Sequence, residues 1–376
     1  MIEVPFNRPY TTGREAEFMA DAVNRGHVSG DGHYTRRASS MLAEIADLKD
    51  VLLTTSCTHA LEMSAILLDL QPGDEIIMPS FTFVSTANAF ALRGARPVFV
   101  DIREDTRNID ESLIEAAITA RTRAIVVVHY AGVACDMAAI DAIVRRHGLV
   151  LIEDNAHGLG GRYRGQQLGT FGSMSTMSFH ETKNIHCGEG GALAINDDAL
   201  SDRAEIIREK GTNRSRFFRG QVDKYTWVDI GSSYLPSDLL AAFLTAQLEA
   251  FSEIQQQRMD IWNSYATRLA AWAEHVGFAL PVIPADSQHP AHLFGMLTPS
   301  LASRTRFIEH MTAGGIRTVF HYVPLHSSPM GASWGPVRRL PVTDDVSERL
   351  VRMPLFAGLT DIELDAVVQR ATEFEP

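Results

Sequence analysis

Short, wholly apolar runs recur along the first half of the chain, and most are followed by a segment with helical periodicity. Seven such runs predict strands, at residues 51–53, 75–78, 97–100, 124–128, 149–152, 176–179 and 191–195. An uninterrupted apolar run is typical of a strand that is buried on both faces, as in a parallel sheet covered by helices.

Helical periodicity lies between several of these runs. It extends over residues 58–70, 85–92, 111–119 and 137–147, and two earlier patterns run over residues 15–23 and 41–45. Because β-α-β crossovers are almost always right-handed and place helices on both faces, the alternation predicts an α/β fold with three αβα layers. Ligands of such a sheet bind at the carboxyl ends of its strands.

Beyond Leu239 the pattern changes. Helical sequence continues to Trp272, and a proline-containing segment follows with strand-like pieces at residues 292–296 and 318–322. Since 376 residues exceed one ordinary core, we predict two domains. A large domain with an N-terminal arm would span residues 1–250, and a smaller α+β domain would span residues 251–376.

Charge and composition narrow the function classes. The chain carries 34 Lys and Arg against 46 Asp and Glu, a net charge of −12, which argues against nucleic acid or an anionic membrane as the main partner. The start lacks a signal-peptide pattern, and no run approaches the roughly 18 apolar residues that span a bilayer, so we expect a cytoplasmic enzyme. Cys57, Cys135 and Cys187 are widely spaced, which indicates reduced thiols and no thiolate metal site.

Hydroxyl side chains follow the first predicted strand and precede a predicted helix, in Ser56-Cys-Thr58. A helix N-terminus offers free N–H groups and the positive end of a dipole, which together suit a phosphate. Ordinary capping by Ser or Thr would leave the same pattern. The segment has no GxGxxG or GxxxxGK[ST] motif, which argues against a dinucleotide or a nucleoside triphosphate and leaves a monophosphate group.

An acidic strand end supplies the next candidates. The strand predicted at residues 149–152 leads into Asp154, and His157 follows three residues later. A buried aspartate needs a positive partner, such as a protonated ring nitrogen, unless it only caps the next turn. His157 suits a hydrogen bond to a ring oxygen, although a packed histidine without that role would show the same pattern.

Lysine is rare in this chain, which has only Lys49, Lys183, Lys210 and Lys224. Lys183 stands between an apolar strand that contains Ser178 and a glycine-rich segment, whereas the other three lie before the sheet or in polar sequence. Burial lowers the proton affinity of a lysine, which favours imine formation with an aldehyde.

Together these features predict one ligand. A phosphate site, an aspartate for a pyridinium nitrogen, a histidine for a ring hydroxyl and an amine for an aldehyde match pyridoxal 5′-phosphate (PLP). Phe83 is a candidate to lie against the pyridine ring, and filling the core is its alternative role.

These segments resemble the DegT/StrS family of nucleotide-sugar aminotransferases over essentially the whole chain. The resemblance is carried by Pro79-Ser-Phe-Thr-Phe-Val-Ser-Thr-Ala, Val150-Leu-Ile-Glu-Asp-Asn-Ala-His, Ser178-Phe-His-Glu-Thr-Lys-Asn, Gly188-Glu-Gly-Gly and His321-Tyr-Val-Pro-Leu-His. It implies the aspartate-aminotransferase type I fold with a mixed, mainly parallel sheet. Residues 131–135, 210–215 and 217–227 are similar, more narrowly, to members that make dTDP-4-amino-4,6-dideoxygalactose.

The resemblance implies roles around the cofactor ring. Lys183 would bind the aldehyde covalently, Asp154 would hold the pyridinium nitrogen, and Phe83 would stack on the ring. His157 stands where the family often has glutamine, and histidine can still donate to a cofactor oxygen.

It also implies the phosphate contacts and the assembly. Ser178, Thr58 and the backbone near Cys57 would hold the phosphate, with Cys57 standing where glycine is usual. A homodimer with shared active sites is implied, in which Ser233 reaches the phosphate of the other site. Ser233 and Leu235 stand where Asn and Arg are usual.

The implied reaction is transamination at C4 of a dTDP-4-keto-6-deoxyhexose, with glutamate as amino donor and a galacto or gluco product. Tyr322 and His326 are candidates for sugar contacts. One alternative is a PLP-dependent nucleotide-sugar 3-dehydratase, although such members carry histidine in place of Lys183. The other is a PLP-binding regulator without turnover, although nothing resembling a DNA-binding module is present.

Overall fold

Helices and strands alternate through the first half of the chain, and helices dominate the second half. The computed structural model describes residues 2–335 and 339–375. The helices are α1 (Glu15–Asn24), α2 (His33–Ala46), α3 (Cys57–Leu67), α4 (Val84–Ala91), α5 (Met137–His147), α6 (Asp198–Arg208), α7 (Arg214–Phe218), α8 (Asp238–Glu249), α9 (Phe251–Arg268), α10 (Ala270–Val276), α11 (Leu301–Ala313), α12 (Pro329–Ala332), α13 (Pro341–Arg349) and α14 (Asp361–Thr372). The strands are β1 (Asp50–Thr54), β2 (Glu75–Pro79), β3 (Arg96–Val100), β4 (Thr122–Val128), β5 (Val150–Asp154), β6 (Arg162–Tyr163), β7 (Gln166–Gln167), β8 (Met174–Ser178), β9 (Gly191–Ile195), β10 (Ser287–Gln288), β11 (Phe294–Leu297) and β12 (Leu350–Met353).

A seven-stranded sheet forms the centre of the N-terminal part of the chain, in the order β1-β9-β8-β5-β4-β2-β3. The pairs β3-β2, β2-β4, β4-β5 and β5-β8 are parallel, whereas β9 runs antiparallel to both β1 and β8. The predicted α/β class with a mixed, mainly parallel sheet is therefore confirmed. Each of the seven apolar runs forms one of these strands.

Helices cover both faces of this sheet. Successive side chains of a strand point to opposite faces, and in β2 both faces are buried. Ile76 and Met78 pack against α3, α4 and α6, whereas Ile77 packs in the layer that contains α5. Most positions of the central strands are apolar because neither face of the sheet meets water.

The helix predicted over residues 111–119 is wrong. The segment forms two single 3-10 turns, Glu111–Leu113 and Glu115–Ala117. Ile114 and Ala117 are buried at a spacing of three, which matches the 3-10 repeat. At Ile118 the backbone becomes extended and leads into β4. The strand-like piece at residues 318–322 likewise forms no strand, only an isolated bridge from Val319 to Arg352.

A second core lies in the C-terminal part. It joins side chains of α9, α11, α14, β11 and β12, and it includes Val4 of the N-terminal arm. The Val4 amide donates to the Gly315 carbonyl at 3.0 Å. The domain boundary at residue 250 stays a prediction, with α9 beginning at Phe251. Within residues 2–335 and 339–375, no helix combines the length and the apolar character required to cross a membrane.

Candidate active site

One cavity of about 640 Å³ opens at the carboxyl ends of β5 and β8 and extends to side chains of the C-terminal part of the chain. Because β1, β4, β5 and β8 point the same way, the segments that follow them meet at one edge of the sheet. Most predicted site residues line this cavity, namely Cys57, Thr58, Phe83, Asp154, His157, Ser178, Lys183 and Tyr322.

The N-terminus of α3 forms one wall of the cavity. The Ser56 side chain caps the helix by accepting from the His59 amide at 3.1 Å. The Thr58 hydroxyl is hydrogen-bonded to the Ser85 hydroxyl at 2.7 Å. The first turn of a helix leaves its amides without intrahelical partners, so the Cys57 and Thr58 N–H groups suit a phosphate.

Gly191 allows this wall to form. A Cβ atom at this position would lie 2.3 Å from the backbone nitrogen of Cys57 and 2.3 Å from the carbonyl carbon of Ser56. Only glycine therefore lets the start of β9 run this close to the start of α3.

Asp154 is the last residue of β5 and is buried, with 5% of its surface exposed. Its carboxylate accepts from the Thr86 hydroxyl at 2.7 Å and from the Ala156 amide at 3.3 Å. Burial raises the pKa of this carboxyl, and the two hydrogen bonds and the charge of Lys183 only partly offset that effect. A protonated ring nitrogen would supply the positive partner that the carboxylate lacks.

The neighbouring carboxylate, Glu153, has a different role. It is fully buried and accepts from the amides of Gly169, Phe171 and Gly172 at 2.7 to 2.8 Å, and His129 Nε2 lies 2.9 Å from it. Three of these contacts hold the loop between β7 and β8, and the fourth holds the segment after β4. Asp154 is the member of the pair that lines the cavity.

Lys183 lies in the loop after β8, where its amide donates to the His180 carbonyl at 2.9 Å. Enclosure in the cavity lowers the pKa of its amine to about 8, and the charge of Arg352 acts in the same direction. The nearby Asp154 opposes this shift. A neutral amine is therefore accessible near neutral pH, as covalent chemistry at an aldehyde requires.

His157 is held as a neutral hydrogen-bond donor. Its Nδ1 accepts from the Ala131 amide at 3.3 Å, which leaves the proton on Nε2. Burial and the charge of Lys183 lower its pKa well below the usual value. The ring stacks on His292 with centroids 4.2 Å apart.

Phe83 is 58% exposed, which excludes the alternative that it fills the core. Its ring lines the cavity, with its centroid 6.4 Å from that of Tyr322. The pKa of Tyr322 is raised by burial, so its hydroxyl stays protonated and can donate.

Two predicted residues lie elsewhere. Ser233 is exposed and pairs with Glu209 in an isolated bridge, so within one chain it does not reach the cavity. His326 is 4% exposed; its Nδ1 lies 2.7 Å from the Ser80 hydroxyl and its Nε2 lies 3.3 Å from Asp344. His326 therefore connects the end of β2 to α13, and the structure does not bring it to the cavity.

Other cavity residues were missed by the sequence reasoning. Thr86 holds Asp154, while His292, His321 and Arg352 enter from the C-terminal part. Thr86 lies inside a segment that was already recognised, so its position offered a signal.

The donor set fits PLP. The helix N-terminus and Ser178 suit its phosphate, Asp154 suits its ring nitrogen, and Lys183 suits its aldehyde. In the described part of the chain no three His, Cys, Asp or Glu side chains are arranged to hold a metal ion.

Comparison with known proteins agrees with this geometry. The model of the DegT/DnrJ/EryC1/StrS aminotransferase family matches residues 9–372. Among solved structures, DesV of S. venezuelae is 30% identical with a TM-score of 0.90, over 99% of this chain and 98% of DesV. The aminotransferase TlmJ of Streptoalloteichus hindustanus is 27% identical with a TM-score of 0.90, over 98% of each chain. The PLP form of Spr1654 from Streptococcus pneumoniae is 25% identical with a TM-score of 0.90, over 99% of this chain and 98% of Spr1654.

Proposed function

The chain belongs to the DegT/DnrJ/EryC1/StrS family and is a PLP-dependent sugar aminotransferase, and from this premise we propose that it transfers the amino group of glutamate to C4 of a dTDP-4-keto-6-deoxyhexose. The products are 2-oxoglutarate and a dTDP-4-amino-4,6-dideoxyhexose of galacto or gluco configuration. The main observation in support of transamination is that Lys183 and Asp154 line the same cavity. The choice of a 4-keto sugar is supported by the resemblance in residues 131–135, 210–215 and 217–227.

The chain's own residues would hold the cofactor at both ends. Thr58, Ser178 and the amides at the start of α3 bind its phosphate. Asp154 keeps a proton on its ring nitrogen, and His157 donates from Nε2 to its ring oxygen. Bound PLP supplies an electron-accepting ring that stabilises negative charge on the reacting carbon, and this acceptance depends on the proton that Asp154 holds.

Lys183 would do the proton transfer. Its Nζ would hold the cofactor aldehyde, and the same amine, when free, would serve as the base. With its pKa lowered to about 8, the free Nζ would be able to accept a proton from the substrate and to give it up again. Histidine at this position would lack the primary amine, so Lys183 leaves the 3-dehydratase alternative without support.

We also propose that two copies form a homodimer with shared active sites. Large apolar side chains are exposed along the segment of residues 217–230, with Phe218 69% and Trp227 76% exposed. Exposed apolar groups of this density mark an interaction surface. Ser233 directly follows this segment, which supports a contact from it to the phosphate of the other site.

The test is turnover with defined substrates. The PLP-loaded protein is mixed with glutamate alone, and its absorbance spectrum is expected to change; dTDP-4-keto-6-deoxyglucose is then added and the product solved by NMR. Lys183→Ala is expected to lose both steps. The control Lys49→Ala, an exposed lysine paired with Asp198 at 3.3 Å, is expected to keep both.

The outcomes separate the claims. If glutamate alters the spectrum but C4 stays a ketone, the sugar assignment is wrong while the amino donor stands. If glutamate leaves the spectrum unchanged, the donor is wrong. Loss of hydroxyl groups without gain of nitrogen would instead identify a dehydratase.

A further inference from the structure

Arg352 brings a second cation into the cavity that contains Lys183. It lies on β12, whose residues Val351 and Met353 pack into the small-domain core. Because side chains alternate along a strand, Arg352 shares the other face with Leu350, which packs in the cluster that contains residues of the large domain. The sequence of β12 therefore directs a guanidinium toward the large domain.

The backbone of Arg352 is held on both sides. It pairs with Gly295 of β11, and its amide donates to the Val319 carbonyl at 2.8 Å. The guanidinium carbon lies 4.7 Å from the centroid of the Phe6 ring, in a cation–π contact. The side chain is thus positioned by three segments and is not a free surface arginine.

The guanidinium makes little use of its donors. Nη2 donates to the Phe320 carbonyl at 3.2 Å, and Nε is buried with no acceptor. Within residues 2–335 and 339–375, no carboxylate forms an ion pair with Arg352, whereas Arg349 on the preceding turn pairs with Glu104 and Asp345. Tyr130 and Tyr322 are the neighbouring acidic groups that could offset its charge, but burial raises the pKa of both, so both stay neutral.

A cation that is largely enclosed without a partner is costly, and such groups in proteins are usually paired with an anion. The planar guanidinium matches the two oxygens of a carboxylate better than it matches any neutral ligand. Glutamate and 2-oxoglutarate carry a carboxylate on the carbon that reacts, whereas the cofactor phosphate is already accounted for by the start of α3. The anion that Arg352 lacks is therefore expected to be a carboxylate of the substrate.

We propose that Arg352 is the carboxylate-binding residue of the reacting cavity and holds the carboxylate of the amino donor, and of the oxo acid that it becomes. This inference rests on the proposed function, because it names the donor subsite of that reaction. Phe6 positions the guanidinium. A carboxylate bound at Arg352 neutralises a charge that disfavours protonation of Lys183, so donor binding raises the affinity of Nζ for the proton that it must accept.

The test compares Arg352→Met with Arg317→Met in the PLP-loaded enzyme. Arg317 is exposed, belongs to the same domain and does not line the cavity, so it matches the loss of charge. The probe is glutarate, a dicarboxylate that cannot transaminate, titrated by calorimetry. Arg352→Met is expected to weaken glutarate binding by roughly 10- to 100-fold, the loss typical of hydrogen bonds to a charged group. Arg317→Met is expected to leave it unchanged.

Steady-state kinetics identify which of the two substrates binds Arg352. The KM for glutamate is expected to rise in Arg352→Met, while the KM for the nucleotide sugar and the affinity for PLP stay unchanged. A rise in the KM for the sugar with no change for glutamate would assign Arg352 to an acidic group of the sugar nucleotide and overturn the proposal. Unchanged glutarate binding in Arg352→Met would overturn it as well.

A second variant guards against misfolding. Arg352→Lys keeps the charge but lacks the planar pair of donors, so glutarate binding between that of the native protein and that of Arg352→Met is expected. Native affinity in a folded Arg352→Lys and total loss in an unfolded Arg352→Met would together argue for a purely structural arginine. Glutarate titration needs no sugar substrate, so failure of the C4 assignment leaves this result readable.

Discussion

At the scale of single residues, burial moves two neighbouring ionisable groups toward their neutral forms. It raises the pKa of Asp154 and lowers that of Lys183 to about 8. Each group lies close enough to favour the charged form of the other, yet desolvation is the larger effect for both. The cavity thus contains an aspartate that needs a cation and a lysine that readily becomes a nucleophile. PLP meets both needs with one ring.

Asp154→Asn is expected to keep the cofactor and to lose turnover. The amide keeps the shape and one acceptor, but it cannot hold a proton on the ring nitrogen, so transamination should fall by roughly 100-fold or more. Single-turnover absorbance with glutamate measures this loss. Thr86→Val, which removes the 2.7 Å hydrogen bond to Asp154, is expected to cause a smaller loss of about 10-fold. Near-normal turnover of Asp154→Asn would contradict the role of the carboxylate.

The reactivity of Lys183 is expected to depend on pH in a defined direction. The neutral amine is the nucleophile, so the rate at which the apoprotein captures PLP should rise with pH and reach half of its maximum near pH 8, not near the ordinary value of 10.5. Stopped-flow absorbance measures the rate. Arg352→Met should move the midpoint upward because it removes a neighbouring positive charge. A rate that rises only above pH 10 would show that the amine is not desolvated.

At the scale of elements, the site depends on one antiparallel strand in a mostly parallel sheet. β9 starts at the edge where β1 and β8 end, so its first residue passes beside the N-terminus of α3. The antiparallel direction of β9 thus places Glu189 and Gly190, which precede Gly191, in the lining of the cavity beside the N-terminus of α3. We therefore expect the contact between β9 and α3 to set the position of the proposed phosphate site.

Gly191→Ala is expected to damage this contact. Its Cβ would lie 2.3 Å from the Cys57 nitrogen, so β9 or α3 must shift, which should cost about 2 kcal/mol of stability and weaken PLP binding. Guanidinium unfolding and a PLP titration measure the two effects. Gly165→Ala is the control: its Cβ meets nothing within 4 Å, although its φ of +84° disfavours alanine. It should lose about 1 kcal/mol and bind PLP normally. Native PLP affinity in Gly191→Ala would exclude the close contact as a determinant of the site.

At the scale of the whole molecule, the cavity is completed by parts far apart in the chain. The segments around β1, β5 and β8 supply the groups proposed for the cofactor, whereas His292, His321 and Arg352 come from the C-terminal part and Phe6 from the N-terminal arm. The proposed dimer adds Ser233 from another copy. Each ligand would thus be enclosed by segments that meet only in the folded protein.

Trp227→Arg is expected to weaken the homodimer. A charge in the exposed apolar segment opposes its burial, so sedimentation should show a shift toward monomer. PLP affinity should fall as well, because each site would lose the contact from Ser233 of the other copy. Ile362→Arg is the control, since Ile362 is 69% exposed on α14, outside that segment. A Trp227→Arg protein that remains fully dimeric would place the interface elsewhere.

The sequence by itself determined the features that depend on local pattern. The seven apolar runs predicted the strands of the central sheet, because a strand that is buried on both faces has an apolar composition that can be recognised from its own sequence. The rarity of lysine directed attention to Lys183, and the acidic strand end identified Asp154. The hydroxyl residues predicted the start of α3 at residue 58, one residue from its observed start at Cys57. The prediction of a helix at residues 111–119 failed because apolar residues are spaced there by both three and four positions. In the folded protein the buried pair, Ile114 and Ala117, has the spacing of three that fits a 3-10 turn.

Only the tertiary structure decided which distant residues share the cavity. His326 has the same residue type as His292, yet His326 is bound to Ser80 and His292 stacks on His157. Arg352 has no distinguishing neighbour in the sequence, and its meaning comes from the absence of an acidic partner within the described chain and from Lys183 in the same cavity. Such facts depend on the meeting of distant segments around one cavity, and contacts between segments that lie far apart in sequence leave no local pattern.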